Sequence, residues 1–141
     1  MRIRYLVFVM ALLAGTLLAA CGAAGGLDLD GTGWELTLLN GEALVPDTQI
    51  TLRFEGGDLH GSAGCNTYGG GYTLAQDGSL QVGPMAITEM YCMDPEGVMD
   101  QEYAYMQLLG SAAKASRDGD RLTLEDGAGA SILVFELVAG E

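Results

Sequence analysis

Sulfur-bearing side chains between residues 85 and 93 are the part of the sequence whose residue types could bind a metal. Met85, Met90, Cys92 and Met93 are soft ligands of the kind that copper(I) prefers, and His60 would add an imidazole if the fold brought it near. The opposing interpretation is that methionines at alternating or helical spacing fill irregular gaps in a core, and a disulfide-bonded Cys92 has no thiolate to offer. We therefore expect neither a metal site nor a cofactor.

The sequence offers little to nucleophilic or phosphate chemistry. His60 is the single histidine and so the only candidate base for a serine or cysteine nucleophile, and no serine lies in a nucleophile-elbow sequence. The glycine-rich stretch 61–72 lacks the lysine of a phosphate loop and leads into a strand pattern, not a helix. Four carboxylates could in principle act as a catalytic pair, but their positions are typical of solvated strands and turns: Glu35, Glu55, Asp58 and Glu89. We expect no catalytic residues and no enzymatic activity.

The beginning of the chain has the organisation of a secretory signal. Arg2 and Arg4 precede an uncharged apolar run over residues 5–18, which is short for a membrane span. The following Leu-Ala-Ala-Cys, ending at Cys21, resembles the bacterial lipobox, in which the cysteine is diacylated and becomes the N-terminus after cleavage. The alternative is an ordinary signal peptide that has a cysteine at the cleavage site by chance. We favour the lipobox, since more than one acyl chain anchors a protein stably.

This interpretation divides the chain into three parts. Residues 1–20 are a lipoprotein signal peptide, residues 21–30 are the lipidated N-terminus with a flexible tether, and residues 31–138 are the folded domain. The membrane is then a partner through the N-terminal lipid anchor. We expect the protein in the cell envelope, on a membrane that faces the periplasm or the cell exterior.

The charge of the chain excludes one class of partner. The net charge is −13, and without Arg2 and Arg4 it becomes −15, because four cations then face 19 acidic residues. Binding to phosphate groups depends on clustered Lys and Arg, so DNA, RNA and anionic lipid surfaces are excluded as partners. Solubility outside the cell explains the acidity most simply. Recruitment of a basic partner is the alternative, but no local run of acidic residues points to one.

The two remaining cysteines predict a disulfide. With Cys21 assigned to the anchor, Cys65 and Cys92 form one pair in an exported protein, where paired cysteines usually join. Closing a loop of this length stabilises a domain by about 3 to 4 kcal/mol. Neither cysteine lies in a C-x-x-C motif, so we do not expect redox catalysis.

Short alternating segments separated by turn residues predict a largely antiparallel sheet. Residues 34–39 alternate and end at Asn40-Gly41, and residues 50–54 form a hairpin with a strand that begins at Leu59. Further strands are predicted on both sides of the turn at residues 76–78, as a separate short strand in "MAITEM", and in a last hairpin composed of "RLTLED" and "SILVFELV".

One stretch follows a helical period. Asp94-Pro95 is typical of an N-cap and first helical position, and Glu96, Asp100 and Glu102 suit the positive end of a helix. The spacing predicts one amphipathic helix over about residues 95–112. Its apolar stripe would pack on the sheet and comprise Met99, Tyr103, Met106 and Leu109 or Gly110.

Taken in order, five segments resemble the META domain, the family of HslJ-like heat-shock lipoproteins. They are "GTGWELTLLNG", "LRFEGGDLHGSAGCNTYGGGYTL", "LQVGPMAITEMYCMD", "EYAYMQLLGSA" and "DRLTLEDGAGASILVFE". The resemblance covers about residues 30–136, and its specific positions, expected to be structural, are Trp34, Gly64, Asn66, Tyr68, Tyr72, Thr88 and Met90. Within "GSAGCNTYGGGY", we expect Gly61 and Gly64 to allow a sharp turn, and Asn66 to bond a local backbone turn and tolerate positive φ.

The resemblance implies the fold class and bears on function. It implies a mainly β (α+β) fold, with a small antiparallel sheet resembling a cracked barrel packed on one helix. It brings no defined catalytic activity, and its name implies an association with stress tolerance. We therefore predict a non-enzymatic, membrane-anchored envelope lipoprotein, acting as a binding, inhibitory or assembly-assisting module on an unidentified envelope partner. The alternative is a carrier of a small apolar ligand or lipid in a barrel cavity.

Overall fold

The structure is a computed structural model that describes residues 26–138. These residues form eight strands and one helix, in the order β1 (Thr32–Leu39), β2 (Thr51–Glu55), β3 (Asp58–Ser62), β4 (Thr67–Leu74), β5 (Leu80–Ile87), α1 (Val98–Ser111), β6 (Lys114–Asp118), β7 (Arg121–Glu125) and β8 (Ser131–Leu137). The predicted fold class is confirmed: the strands form one antiparallel sheet that curls into an incomplete barrel, and the helix packs against it.

The sheet nearly closes on itself. Its strand order is β5-β4-β3-β2-β1-β8-β7-β6, so β5 and β6 are the two edge strands. The two edges meet at one end only, where Leu80 N–H donates to the Ala113 carbonyl oxygen at 2.9 Å and Ala115 N–H donates to that of Gly78 at 2.8 Å. In sequence, the helix α1 connects the two edge strands β5 and β6. In the fold, it contacts β5 and β8. Within residues 26–138, no helix is long and apolar enough to cross a membrane.

The predicted alternation places one face of each strand in the core. Trp34 pairs with Leu52 across β1 and β2, and Leu59 pairs with Phe54 across the hairpin of β2 and β3. The hairpins β2–β3, β4–β5 and β7–β8 form at the predicted turns. The interior is filled by side chains that are almost completely buried: Trp34, Tyr105, Phe54, Phe135, Leu29, Ile50, Leu52, Leu59, Leu109, Leu122, Leu124 and Leu133. This packing gives no support to a carrier cavity inside the described sheet.

Two strand predictions are corrected by the structure. "MAITEM" is not a separate strand, because β5 continues through Pro84 to Ile87 and the chain leaves the sheet at Thr88. Proline is tolerated there since β5 is an edge strand, where a missing N–H breaks no ladder. The strand β6 (114–118) was not predicted, because its only buried side chain is Ala115 and it carries little alternation to detect.

The helix prediction is correct in kind and wrong in its start and in its buried face. Residues 94–97 form turns, and the helix begins at Val98 after Gly97, which has a left-handed backbone. Asp94 and Pro95 are therefore not the N-cap and first helical residue. The buried helical positions are Val98, Gln101, Glu102, Tyr105 and Leu109. The predicted stripe is right at Leu109 and at Met106, which is half-buried against the core, but wrong at Tyr103, which is exposed.

Gly61 is required by a close approach of two strands. A Cβ added to Gly61 would overlap the carbonyl oxygen of Thr51 in β2. We expect Gly61→Ala to lower the free energy of unfolding by about 1 to 3 kcal/mol, because the strands must separate to admit the methyl group. The matched control is Gly127→Ala, where the added Cβ meets open space. Urea unfolding of both variants would test this, and equal stability would contradict it.

Candidate functional site

A disulfide fastens the segment after β5 to the turn before β4. Cys65 and Cys92 are 27 positions apart in sequence and are bonded as predicted, with their Cα atoms 5.9 Å apart. The turn at Cys65 depends on Gly64, whose φ of +113° favours glycine, and whose Cα faces Val98 of the helix. The bond therefore ties the loop 88–97 to the body of the sheet.

Asn66, the residue after the disulfide cysteine, holds the same loop with its side chain. Its Nδ2 donates to the carbonyl oxygen of Met90 at 3.0 Å, and its Oδ1 accepts from Met90 N–H at 2.7 Å and from Thr88 Oγ1 at 2.8 Å. A second Nδ2 hydrogen bond, of 2.7 Å, goes to Glu102 Oε1 on the helix. All the donors and acceptors of the amide are used. The expectation that Asn66 serves a local turn with positive φ is wrong. Its side chain joins segments distant in sequence, and within residues 26–138 the positive-φ residues other than glycine are Asn40 and Asp47.

Glu102 is the buried carboxylate that completes this network. It is 5% exposed, and its Oε2 accepts backbone N–H groups from Asn66 at 2.7 Å and Cys65 at 3.1 Å. Together with the Asn66 amide, these donors compensate the loss of hydration that burial of a carboxylate entails. The network therefore connects α1, the disulfide turn and the loop 88–93 into one rigid unit.

The loop that this unit supports presents large apolar side chains to solvent. Tyr91 is 80% exposed, Met93 84% and Met90 57%, and Tyr103 on α1 is 69% exposed. We call these four residues the apolar patch. A cluster of large exposed apolar side chains marks an interaction site more often than a single one does. Hydrogen bonds from the Asn66 side chain to the backbone of Met90, together with the disulfide at Cys92, hold the loop in place although the side chains of the patch are exposed.

A shallow groove lies beside the patch at the start of the helix. Tyr91, Met93 and Met99 line it together with exposed Glu96 and Asp100. The Cys92 N–H donates to the sulfur of Met99 at 3.4 Å, and this contact joins the loop to the helix within the groove. Tyr103 follows Met99 by one helical turn, so it lies on the same side of α1.

The predicted soft metal ligands do not form one cluster. The disulfide consumes the thiol of Cys92, and Met85 packs against the core while Met93 points to solvent. His60 lies in β3, paired with Arg53 of β2, and its Nε2 is 3.6 Å from the Glu55 carboxylate. Among residues 26–138, no three His, Cys, Asp or Glu side chains are grouped to hold a metal ion.

Two other family positions, Trp34 and Tyr72, pack in or against the hydrophobic core. Trp34 is buried, its indole N–H donates to Thr32 Oγ1 at 2.7 Å, and the Arg117 guanidinium lies 5.1 Å from its ring centre. Tyr72 packs edge-on against Phe54, with ring centres 4.9 Å apart. Burial raises the pKa of Tyr72, and the nearby carboxylates Asp30 and Asp28 raise it further.

Tyr68 and Tyr105 join the sheet to the buried face of the helix. Tyr68 OH donates to the Thr51 carbonyl oxygen at 2.8 Å, and Tyr105 OH donates to Tyr68 OH. Burial raises the pKa of Tyr68 well above its ordinary value of 10, and the hydrogen bond from Tyr105 opposes this only in part. Burial is also the main cause of the raised pKa of Tyr105, followed by the charge of Tyr68 and their hydrogen bond.

These two tyrosines predict a loss of stability in alkali. A tyrosine whose folded pKa is raised contributes stability that is complete below the unfolded value of 10 and is lost as pH rises above it. Between about pH 8 and about pH 11, we expect wild type to lose about 1.4 kcal/mol per buried tyrosine more than the Tyr68→Phe/Tyr105→Phe variant. Urea unfolding at both pH values measures this. Equal losses in the two proteins would contradict the prediction, and below pH 8 no pH-dependent difference is expected.

Three residues of the site were missed by sequence reasoning. Glu102 was assigned to the helix dipole, and Gln101 was not considered, although its side chain accepts from Val45 N–H at 2.6 Å and donates to Thr48 Oγ1 at 2.9 Å. Tyr91 was not singled out. A usable signal exists for Glu102, which has helical spacing with Val98, Tyr105 and Leu109.

Comparisons with known proteins agree with this architecture. The family model described as META domain matches residues 27–139. An NMR structure of a protein from Burkholderia xenovorans is 28% identical over 79% of this chain and 85% of its own, with a TM-score of 0.64. A second NMR structure, 22% identical over 77% of this chain and 91% of its own, has a TM-score of 0.61 and shares the fold. No curated protein matches the chain.

A single antiparallel sheet curled around one helix, with the disulfide turn and Asn66 at its open end, defines the class of fold. The chain belongs to the META domain family, because the family match extends over nearly all the residues that form this fold.

Proposed function

We propose that this META domain protein is a non-enzymatic binding module of the cell envelope, and that the apolar patch is its contact surface. One observation carries the proposal: three large apolar side chains, Met90, Tyr91 and Met93, are more than half exposed on a segment held by the disulfide and by Asn66, and Tyr103 adds a fourth exposed side chain on α1. Tyrosine and methionine are enriched at the centres of protein interfaces. A segment that is already ordered loses little conformational entropy when a partner binds.

The polar groups near the patch support binding in preference to catalysis. Asn66 and Glu102 are buried and direct their side-chain atoms at each other, at Thr88 and at backbone groups. A general acid, general base or nucleophile must reach a substrate. These side chains are therefore suited to fixing the loop in position.

Photo-crosslinking in cells tests the contact surface. A photoreactive amino acid in place of Tyr91 should give an adduct of defined mass, whereas the same amino acid in place of Asp118, an exposed residue of β6, should not. Adducts of equal yield from both positions, or none from the Tyr91 position, would contradict the proposal. Tyr91→Ser/Met93→Ser, two exposed substitutions, should reduce stress survival without loss of stability if the binding is protective.

We also propose that the protein is attached to a membrane by acylation of Cys21, which lies outside the described residues. The support is the Leu-Ala-Ala-Cys sequence after an apolar run. Labelling cells with an alkyne fatty acid should tag wild type and not Cys21→Ser, and the tagged protein should sediment with membranes. Equal labelling of both proteins would contradict the anchor.

A further inference from the structure

The apolar patch is surrounded by negative charge that no neighbouring cation balances. Glu89, Asp94, Glu96 and Asp100 are exposed; Glu89 immediately precedes Met90 in the sequence, and the other three lie between Met93 and Tyr103. From residue 61 to residue 113 the sequence contains no Lys, Arg or His. Carboxylates beside an apolar surface are less screened than carboxylates on an open polar surface, so the patch lies in a negative potential.

The Lys and Arg residues of the described domain lie on other parts of the sheet. Arg121 pairs with Glu136 at 3.4 Å, and Arg117 stacks on Trp34. Arg53 lies on β2 beside Gly33 and His60, and Lys114 lies beside Ser79 at the junction of the sheet edges. Within residues 26–138 the ion pair is Arg121–Glu136, and His60 lies 3.6 Å from the Glu55 carboxylate; neither contact involves a carboxylate around the patch.

We infer that the partner of the apolar patch is a cationic amphipathic peptide segment, in which Lys or Arg residues flank an apolar stripe. This inference rests on the proposed function, which makes the patch a contact surface. The apolar stripe covers Tyr91, Met93 and Tyr103, and the flanking cations meet the four carboxylates. Unbranched methionine side chains adapt to differently shaped apolar partners, and exposed tyrosine rings attract Lys and Arg through their faces.

The same charges select against other occupants of the patch. An anionic lipid surface and an acidic peptide would each bring negative charge against Glu89, Asp94, Glu96 and Asp100. A second copy of this chain would oppose one set of these carboxylates to another, since a twofold interface brings identical surfaces together. Like charges placed across an interface disfavour association.

Binding to a designed peptide tests the inference. The full-length chain in zwitterionic nanodiscs is titrated with a labelled amphipathic helix of Leu and Lys, roughly 14 residues or four turns long, and empty nanodiscs provide the reference. We expect a Kd of about 1 to 10 μM that weakens at least about tenfold when NaCl is raised to about 0.5 M. A peptide of the same pattern with Glu in place of Lys should not bind.

Two sets of substitutions locate the binding. Glu89→Gln/Asp94→Asn/Glu96→Gln/Asp100→Asn should weaken binding at least about tenfold, as should Tyr91→Ser/Met93→Ser. The matched control, Glu55→Gln/Asp58→Asn/Asp118→Asn/Asp120→Asn, removes the same net charge at the β2–β3 and β6–β7 turns and should leave the Kd within about twofold of wild type. Urea unfolding of each variant shows whether the fold is retained.

The outcomes separate this inference from the proposed function. No binding of the Leu-Lys peptide, equal weakening by the two charge sets, or binding of anionic vesicles would overturn the inference. If the peptide does not bind but the photoreactive residue at the Tyr91 position still captures a partner in cells, the inference fails and the proposed function stands. If the peptide does not bind and the photoreactive residue captures no partner, both the inference and the proposed function fail.

Discussion

Asn66→Asp should lower the free energy of unfolding by about 3 to 5 kcal/mol at neutral pH, because it places a second carboxylate against a buried one. Asn66 Nδ2 lies 2.7 Å from Glu102 Oε1 and donates to it, whereas an aspartate oxygen at that position would repel it. The substitution also removes the donor to the Met90 carbonyl oxygen. Urea unfolding followed by tryptophan fluorescence would measure the loss, since Trp34 is the single tryptophan and is buried.

Two comparisons distinguish this mechanism from a general effect of adding charge. The matched control is Asn40→Asp in an exposed turn, which should cost less than about 0.5 kcal/mol. The loss caused by Asn66→Asp should shrink at about pH 4, because two carboxyl groups that share a buried site tolerate one proton between them. A loss of equal size at both positions, or one independent of pH, would show that the Asn66–Glu102 contact is not its cause.

Removal of the disulfide should have an effect of similar size. The bond joins two residues 27 positions apart in sequence, and the chain-entropy model gives about 3 to 4 kcal/mol for a loop of that length. We expect Cys65→Ser/Cys92→Ser to lose that amount of unfolding free energy, mainly because its unfolded chain has more conformations. Unfolding with and without a thiol reductant measures it.

The reductant provides the internal control for this prediction. Wild type in the presence of dithiothreitol should unfold at the same urea concentration as the double serine variant, and the variant should not respond to dithiothreitol. A reductant-sensitive variant would point to a cause other than the Cys65–Cys92 bond. Wild type that is equally stable in both conditions would refute the stabilising role of the disulfide.

Much of the fold could be predicted because its determinants are local. Alternation of apolar side chains identifies strands such as β1 and β8, and turn residues identify the hairpins between them. The pairing of Cys65 with Cys92 followed from counting cysteines in an exported chain. In contrast, β6 was missed because a short strand with one buried alanine has too little pattern to distinguish it from a loop.

The candidate site was predicted only in part. Asn66, Thr88 and Met90 were identified through their family motifs, but the partners of Asn66 were not. Glu102 was taken as an exposed helix residue, since a carboxylate is rarely buried unless it is paired. Tyr103 was taken as a core residue because it has helical spacing with Met99 and Met106. The true buried face of α1 includes two polar residues, Gln101 and Glu102, whose burial depends on hydrogen bonds from distant segments.

Composition, periodicity and cysteine count were enough to predict the β-rich class, the single helix, the disulfide and the acidic character, because they act at short range or over the whole chain. The fold was needed to show which helix face is buried, what Asn66 holds in place and which apolar residues remain in solvent. These features depend on hydrogen bonds between residues 22 to 56 apart in sequence, such as those from Asn66 to Met90 and Glu102. Hydrophobicity ranks side chains one at a time, whereas a buried carboxylate is stable only when the fold supplies its donors.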